Sequence, residues 1–258
     1  MRSLSVQRLR PRGGALVPRD ADDQRALAQR FDFPYLAEPG ELKRELVCAY
    51  DPFTEQAEQV RNLRAQLELL HFGHGRRSLA LVGQERAEGR SYITANLAVS
   101  FAQLQVPTLL VDANLRAPSQ HTLFGLDPQA DGLSWVLAGR ATPEQLIRPI
   151  AGLQNLHVLP AGIVPPSPSE LLGRARLAAL LEHLGRSYEV ILVDTPAWRG
   201  RADTQLIAAQ CHGALLVVRS DVTRVRPLRQ ISRALAAVNT ALVGVAVNRA
   251  PRRAGKVR

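Results

Sequence analysis

The chain has 258 residues, of which 46% are apolar, and its formal net charge at neutral pH is +10. This length suits one α/β domain with short extensions, and no run of about 18 apolar residues is present to form a membrane-spanning helix. Cys48 and Cys211 lack the C-x-x-C spacing of redox and zinc sites, which indicates reduced thiols. The arginines near the N-terminus are not followed by an apolar segment, so we do not expect a signal peptide.

The excess positive charge lies at the two ends of the sequence. Residues 1–19 contain five arginines and no acidic residue, and residues 249–258 contain five basic residues and no acidic residue. Basic segments of this kind suit an anionic lipid surface, nucleic acid or an acidic partner. A pair of merely solvated tails is an equally simple interpretation.

Between residues 51 and 72, apolar residues recur at the spacing of an amphipathic helix. The other face of this predicted helix carries Glu58, Arg61 and Arg64 in an E-x-x-R-x-x-R pattern. Glu58 and Arg61 are an i, i+3 pair of opposite charge. This face therefore either pairs with itself in solvent or contacts another chain.

Residues 78–116 read as a buried strand, a glycine-bearing turn, a helix and a second buried strand. Residues 84–91, QERAEGRS, resemble the phosphate-binding loop G-x-x-x-x-G-K-[ST], in which backbone N–H groups surround phosphates. Gly89 and Ser91 match that pattern. Gln84 replaces its first glycine, and Arg90 replaces its lysine.

Two predicted strands end in an aspartate. The strand at 108–112 ends at Asp112, and the strand at 188–194 ends at Asp194. Carboxylates at the ends of neighbouring parallel strands can hold Mg²⁺ directly or through water. Together with a loop that ends in G-R-S, these aspartates predict a phosphate-binding cleft at the carboxyl ends of the strands.

The remaining pattern alternates strands and helices. Strands are predicted at 78–83, 108–112, 155–160, 188–194, 214–219 and 241–247. A helix is predicted from Ser167 to about Leu184. This alternation predicts an α/β fold with a doubly wound, mainly parallel sheet flanked by helices. The six histidines show no metal-ligand spacing.

Three motifs, AEGRS, LLVDANLR and ILVDTPA, resemble those of the bacterial tyrosine kinases of capsule and exopolysaccharide biosynthesis in both order and spacing. Stretches such as PPSPSELL and VGVAVNR extend the resemblance over residues 45–249. The sequence is most similar to the subfamily that accompanies exopolysaccharide chain-length determinants. The resemblance implies a P-loop NTPase-like fold with a deviant phosphate-binding loop.

The resemblance implies ATP and Mg²⁺ as cofactors, and it implies roles for particular residues. The nucleotide-binding residues would be Ala87, Glu88, Gly89, Arg90, Ser91, Tyr92 and Asn248. The metal-binding residues would be Ser91, Asp112 and Asp194. Asp112 would also accept the proton of the attacking tyrosine. The residues that contact neighbouring subunits of a homo-oligomer would be Glu58, Arg61 and Arg64.

The resemblance further implies that the partner is a membrane chain-length determinant. It argues against nucleic acid as a partner. The protein would be cytoplasmic and peripheral at the inner face of the cell membrane through that partner. Residues 1–44 would form a basic, partly disordered N-terminal extension with the remnant of a small helical module. Residues 45–249 would form the kinase-like domain, and residues 250–258 a basic C-terminal tail.

Several departures from the family pattern bear on catalysis. Arg90 stands at the lysine position, Asn114 at the second aspartate of D-x-D, and Arg86-Ala87 at a usual Pro-Gly pair. The sequence also lacks the C-terminal tyrosine cluster that family kinases phosphorylate. Two hypotheses remain open: an ATP-dependent protein-tyrosine kinase of weakened activity, and a catalytically inactive regulatory or scaffold subunit. A third hypothesis is a partitioning or positioning ATPase. That class carries a lysine at the position of Glu85, which argues against this hypothesis.

Overall fold

The computed structural model describes residues 42–173, 175–199, 202–220 and 222–249. Most of the predicted N-terminal extension, and the whole predicted tail at 250–258, lie outside these residues. Among the described residues, no helix has the length and apolar character needed to cross a membrane.

One sheet of seven strands runs through the described part of the chain. The strands are β1 Ser78–Val82, β2 Thr108–Asp112, β3 Arg148–Ile150, β4 Leu153–Leu159, β5 Val190–Asp194, β6 Ala214–Arg219 and β7 Leu242–Asn248. Their order is β3-β4-β2-β5-β1-β6-β7. Every neighbouring pair is parallel except β3 and β4. The prediction of a mainly parallel α/β sheet is therefore confirmed.

Helices cover both faces of this sheet. They are α1 Val47–Tyr50, α2 Glu55–Leu70, α3 Arg90–Ala102, α4 Gln120–Leu123, α5 Leu133–Ala138, α6 Pro143–Leu146, α7 Pro168–Leu172, α8 Arg176–Leu184, α9 Asp203–Ala208 and α10 Val225–Ala237. Helices α1, α2 and α3 pack on one face of the sheet. Helices α5 and α8 pack on the other face beside β2 and β5, and α10 packs beside β1 and β6. The central strands are buried on both faces, which their unbroken apolar runs predict.

Two features of the fold differ from the sequence predictions. Strand β3 was not predicted, because three residues that include Pro149 carry too little alternation to signal an edge strand. The predicted single helix from Ser167 to Leu184 is wrong, since α7 ends at Leu172 and α8 begins at Arg176. Gly173 follows α7, and the low helix propensity of glycine favours a break at this point.

Candidate functional site

The two strand-end aspartates lie side by side. Strands β2 and β5 are neighbours, and their register pairs Asp112 with Asp194. Both side chains are fully buried. The Oδ1 atom of Asp112 accepts a hydrogen bond from the Asn114 N–H, and its Oδ2 accepts from the N–H groups of Ser119 and Gln120, all at 3.0–3.1 Å. The loop after β2 therefore wraps its backbone donors around this carboxylate.

Asp194 is less completely bonded. Its Oδ2 accepts a hydrogen bond of 2.7 Å from the Gln120 side-chain amide. Its buried Oδ1 has no hydrogen-bond partner among the described residues, although the Ser91 hydroxyl lies close enough to lower the pKa of Asp194. A buried carboxylate oxygen without a donor is costly unless something else neutralises it.

The electrostatics of the two aspartates reflect this shared burial. Burial, followed by the charge of Asp194, raises the pKa of Asp112 to about 7, and three backbone hydrogen bonds act in the opposite direction. Burial also raises the pKa of Asp194, and Ser91, Gln120 and Arg90 offset part of that rise. A divalent cation between such oxygens would remove the conflict between the two charges.

The loop at residues 84–89, which the sequence predicts to bind phosphate, joins β1 to α3. Gly89 is the N-cap of α3 with a φ of +91°, a left-handed conformation that glycine adopts without a steric cost. Asn248, at the end of β7, donates a hydrogen bond of 2.9 Å to the Glu88 carbonyl and leaves no room for a Cβ at Gly89. Among the described residues, no acceptor bonds the backbone N–H groups from Glu88 to Tyr92. These donors at a helix N-terminus are therefore free to bind an anion.

The side chain of Arg90 is held inside this loop. It is only 8% exposed. Its Nη1 donates to the Glu85 carbonyl at 2.8 Å and lies 3.5 Å from the Glu88 carboxylate, and its Nε donates to the Thr195 carbonyl at 3.4 Å. Burial lowers the pKa of Arg90, and the charges of Asp194, Glu88 and Glu85 oppose that change. Only Nη2 of the guanidinium lacks a partner among the described residues.

Glu88 is the buried counter-ion of Arg90. One of its oxygens accepts the Glu85 N–H at 3.0 Å, and the other accepts the Thr223 hydroxyl at 2.7 Å. Gly83 makes space for the pair, because a Cβ there would lie 2.7 Å from the Glu88 carboxylate and 2.8 Å from the Arg90 guanidinium. The loop is thereby tied to the connection between β6 and α10, where Thr223 lies.

A cleft of about 250 Å³ opens between this loop and the strand ends. Four of the residues that line it are arginines: Arg86, Arg90, Arg116 and Arg199. Arg116 is anchored by buried Asp203, and Arg199 by Glu85 at 2.6–2.7 Å. A second cavity of about 500 Å³ lies on the other side of Gly89, against α2, with Tyr92 and Asn248 in its wall. The arginines suit phosphate, and the larger cavity suits the rest of a nucleotide.

Comparison with known proteins places this site in a family. Residues 76–245 match the family model described as cellulose biosynthesis protein BcsQ. The chain is 31% identical to the tyrosine-protein kinase YwqD of Bacillus subtilis over 207 residues, which are 80% of this chain and 86% of that protein. The chain belongs to the bacterial tyrosine kinases. The predicted membership in the tyrosine kinases of capsule and exopolysaccharide biosynthesis is thereby confirmed.

Solved structures agree with this kinase assignment. The kinase domain of the Escherichia coli tyrosine kinase ETK superposes with a TM-score of 0.78 at 27% identity and covers 86% of each chain. The septum site-determining protein MinD from Pyrococcus horikoshii, solved with Mg-ADP, superposes with a TM-score of 0.60 at 25% identity over 68% of this chain and 71% of that one. The predicted P-loop NTPase-like fold is therefore confirmed.

Two loop residues near the cleft have visible local effects. Asn114 donates to the Ala117 carbonyl at 2.6 Å and accepts the Ala117 N–H at 3.2 Å. Its side chain closes its own loop. Ala87 adopts a φ of +59°, which is strained for a residue with a Cβ.

Sequence reasoning missed three residues of this kinase-like site. Gln120 is buried and bridges Asp194 to the Ser91 carbonyl, which its side-chain amide reaches at 3.2 Å. Thr223 holds Glu88, and Arg199 holds Glu85. Gln120 begins the short helix α4, and Thr223 and Arg199 lie in loops. Single glutamine, threonine and arginine residues give no sequence signal of their own. Their roles depend on contacts across the fold.

The predicted oligomer face on α2 is bonded within this chain. Arg61 Nε donates to the Glu58 carboxylate at 2.9 Å. Arg64 donates to the carbonyl and the hydroxyl of Ser100 on α3, at 2.8 and 3.0 Å. These bonds account for the pattern without a second subunit. The role of the face in a homo-oligomer remains a prediction.

Proposed function

We propose that the protein binds ATP and Mg²⁺ in the cleft at the strand ends. In this proposal it acts in exopolysaccharide biosynthesis as a regulatory kinase-like subunit with weak phosphotransfer to protein tyrosine. The observation that carries the proposal is the buried pair Asp112 and Asp194, which lies at neighbouring strand ends beside the free N–H groups of α3.

The residues around the cleft fit the predicted cofactors. Mg²⁺ prefers oxygen ligands, and the unpartnered Oδ1 of Asp194, the Asp112 carboxylate and the Ser91 hydroxyl supply them. When bound, the cation would neutralise charge on the phosphates. The N–H groups from Glu88 to Tyr92 and the remaining Nη2 of Arg90 would hold the phosphates.

The rest of the nucleotide and the acceptor would lie on opposite sides of the loop. Tyr92, Asn248 and α2 would enclose the nucleoside in the larger cavity. Asp112 would receive the proton of the acceptor tyrosine. The arginines of the cleft would attract both phosphate and an acidic acceptor segment.

Weak catalysis follows from how Arg90 and Asn114 are bonded. Arg90 uses Nη1 for the Glu85 carbonyl and Nε for the Thr195 carbonyl, so it cannot follow the moving phosphoryl group as a flexible lysine does. Asn114 contributes no charge and is committed to Ala117. Loss of one well-placed electrostatic group typically reduces the rate by about a hundred- to a thousandfold.

A fully active kinase is the second candidate, and one observation favours it. The pKa of Asp112 is raised to about 7 by burial and by Asp194. A general base works best when its pKa lies near the working pH. This candidate predicts brisk tyrosine phosphorylation by the unaltered protein, whereas the regulatory proposal predicts little.

The proposal includes a membrane chain-length determinant as partner and a peripheral position at the inner face of the membrane through that partner. It also includes self-association through Glu58, Arg61 and Arg64. The support is the family membership and the subfamily resemblance of the sequence motifs. Polymer length in cells is the readout for the partner, because a chain-length determinant acts on that quantity.

The proposal is tested by nucleotide binding and phosphotransfer measured together. Calorimetry with ATP should show binding that requires Mg²⁺ and is lost in Asp112→Asn, while Glu182→Gln, an exposed carboxylate on α8, binds normally. The double variant Arg90→Lys, Asn114→Asp should gain tyrosine phosphorylation on a synthetic acidic tyrosine polymer. No ATP binding by the unaltered protein would refute the proposal. The active-kinase candidate would be established by a different result. In that case the unaltered protein phosphorylates tyrosine briskly, and Asp112→Ala abolishes both this activity and the control of polymer length.

A further inference from the structure

Helix α10 presents an unneutralised cationic face to solvent. Arg226, Arg229 and Arg233 are exposed, and none has a carboxylate partner among the described residues. At about 100° of helical rotation per residue, the three side chains fall within a sector of roughly 60°. The buried Ile231 and Leu235 lie on the opposite side of the helix and pack against the sheet. The helix is thus fixed to the domain with its arginines facing outward.

The surroundings of this face add positive charge and apolar side chains. Residues 222–249 contain no aspartate or glutamate, and the nearest acidic residue in the sequence is Asp221. Arg224, just before the helix, is also exposed. Val222 and Val225 flank it and are 56% and 64% exposed. Arginines next to exposed aliphatic residues are the combination that binds at the headgroup boundary of a bilayer.

The position of α10 in the fold keeps this face away from the nucleotide cleft. The residues that line the cleft and the nucleoside-sized cavity include none from α10. Two other cavities in the described part of the chain also contain no residue of α10. A peptide partner would need a groove or pockets for its side chains, and this convex helix face offers only charge and two valines.

We propose that the outer face of α10, formed by Arg224, Arg226, Arg229 and Arg233 with Val222 and Val225, binds an anionic lipid surface directly. The protein then touches the membrane with its own helix, in addition to any protein partner. Binding requires neither nucleotide nor phosphotransfer, so the inference is independent of the proposed function. It is electrostatic in origin and should weaken as salt shortens the Debye length below about 10 Å.

The test is cosedimentation of the full chain with vesicles of phosphatidylcholine alone or mixed with phosphatidylglycerol. The unaltered protein should bind the mixed vesicles and not the neutral ones. Each arginine near an anionic surface contributes roughly a fivefold increase in partitioning, so Arg226→Gln, Arg229→Gln, Arg233→Gln should reduce it about a hundredfold. Glutamine favours helix as arginine does, so α10 should persist, which circular dichroism and thermal melting can verify.

A matched control distinguishes binding by this face from an effect of the net charge of the protein. The exposed residues Arg44, Arg76 and Arg186 lie elsewhere on the domain, and their triple change to glutamine removes the same charge. It should leave binding within about twofold if the charge acts locally. Equal losses in the two triple variants would overturn the proposal.

Two further outcomes would also overturn it. One is that the unaltered protein fails to bind mixed vesicles at low salt. The other is that binding depends only on the basic residues of the sequence at 252–258, shown by changing those residues to glutamine. If the chain binds polyglutamate but not vesicles, the face serves an acidic protein instead, and the lipid assignment is wrong.

Discussion

The buried charges on the two sides of the proposed nucleotide cleft are arranged in different ways. On the loop side, the buried charges of Arg90 and Glu88 neutralise each other, and backbone groups and Thr223 satisfy their remaining atoms. On the strand-end side, Asp112 and Asp194 carry the same charge at neighbouring positions, and one oxygen of Asp194 has no hydrogen-bond donor among the described residues. The loop is a closed network without ligand, whereas the strand ends are incomplete without a cation.

Because of this difference, substitutions on the two sides of the cleft should affect the stability of the protein in opposite directions. A closed ion network should lose stability when one member is removed, because the other charge is left buried. A pair of like charges should instead gain stability when one charge is removed, and it should lose ligand binding. The same kind of substitution therefore has opposite effects on the two sides.

The largest effect is expected for Arg90→Ala. It leaves Glu88 buried without its counter-ion, and breaking a buried pair in this way costs about 3–5 kcal/mol of unfolding free energy. Urea denaturation measures the loss. Adding Glu88→Gln should recover a large part of it, because the orphaned charge is then gone. If the double variant is as unstable as the single one, the Arg90–Glu88 pair is not the source of the loss.

The opposite sign is expected for Asp194→Asn in the absence of Mg²⁺. The folded-state pKa of Asp112, about 7, lies above its unfolded value of about 3.9, so the folded state binds the extra proton between these values. Stability from this pair is therefore present at low pH and lost as pH rises through about 7. The variant removes the neighbouring charge and should flatten this decline, with a gain at pH 8 on the order of 1–3 kcal/mol.

Thermal melting of the two proteins from about pH 5 to about pH 8 measures this change. Added Mg²⁺ should stabilise the unaltered protein at the high end and leave Asp194→Asn unaffected. Asp127→Asn, at an exposed carboxylate, is the control. A variant that is less stable than the unaltered protein at pH 8, or that still responds to Mg²⁺, would mean that Asp194 is not in electrostatic conflict with Asp112.

The strand-end side was easier to predict from sequence than the loop side. An apolar run that ends in aspartate fixes both the strand and the edge at which the carboxylate lies, so the placement of Asp112 beside Asp194 follows from pattern and topology. The inward orientation of the Arg90 side chain does not follow from the sequence pattern. It depends on the Glu85 carbonyl and on the Glu88 carboxylate, which Thr223, 135 positions further along the chain, holds in place. Contacts of that separation leave no local signal.

The same reasoning explains the elements that were predicted poorly. The buried strands carry their own apolar signal, whereas β3 exists because β4 offers it an edge. The interruption between α7 and α8 has only Gly173 as a local cue, and helical spacing of leucines continues across it. Gln120 could not be distinguished from the other glutamines of the sequence until β5 brought Asp194 within 2.7 Å of it.

A smaller effect is expected for Thr223→Val, which tests how the loop network is held from outside. The change removes the hydrogen bond to the buried Glu88 carboxylate and also the acceptor of the Arg219 N–H, and it should cost about 1–3 kcal/mol of unfolding free energy. Nucleotide affinity should fall with it, because the loop loses a fixed position. Thr122→Val, at an exposed threonine of α4, should change neither quantity. A stability loss without any change in nucleotide affinity would show that Thr223 does not position the loop.

The smallest effect is expected at Arg199, where the loop network reaches solvent. Its ion pair with Glu85 is half exposed, and pairs of this kind contribute about 0.2–1 kcal/mol. Arg199 also adopts a φ of +32°, in the region that favours glycine. Arg199→Ala should lose the ion pair and keep the strain, whereas Arg199→Gly loses the pair and relieves the strain. Arg199→Gly should therefore be the more stable of the two variants by roughly 0.5–1 kcal/mol, despite the larger entropy of glycine in the unfolded chain.

High salt should narrow the difference in stability between the unaltered protein and Arg199→Ala, because it screens the ion pair. It should leave the difference in stability between the two variants unchanged. A salt-independent loss in Arg199→Ala, or an alanine variant as stable as the glycine variant, would show that neither the ion pair nor the backbone strain governs this end of the loop.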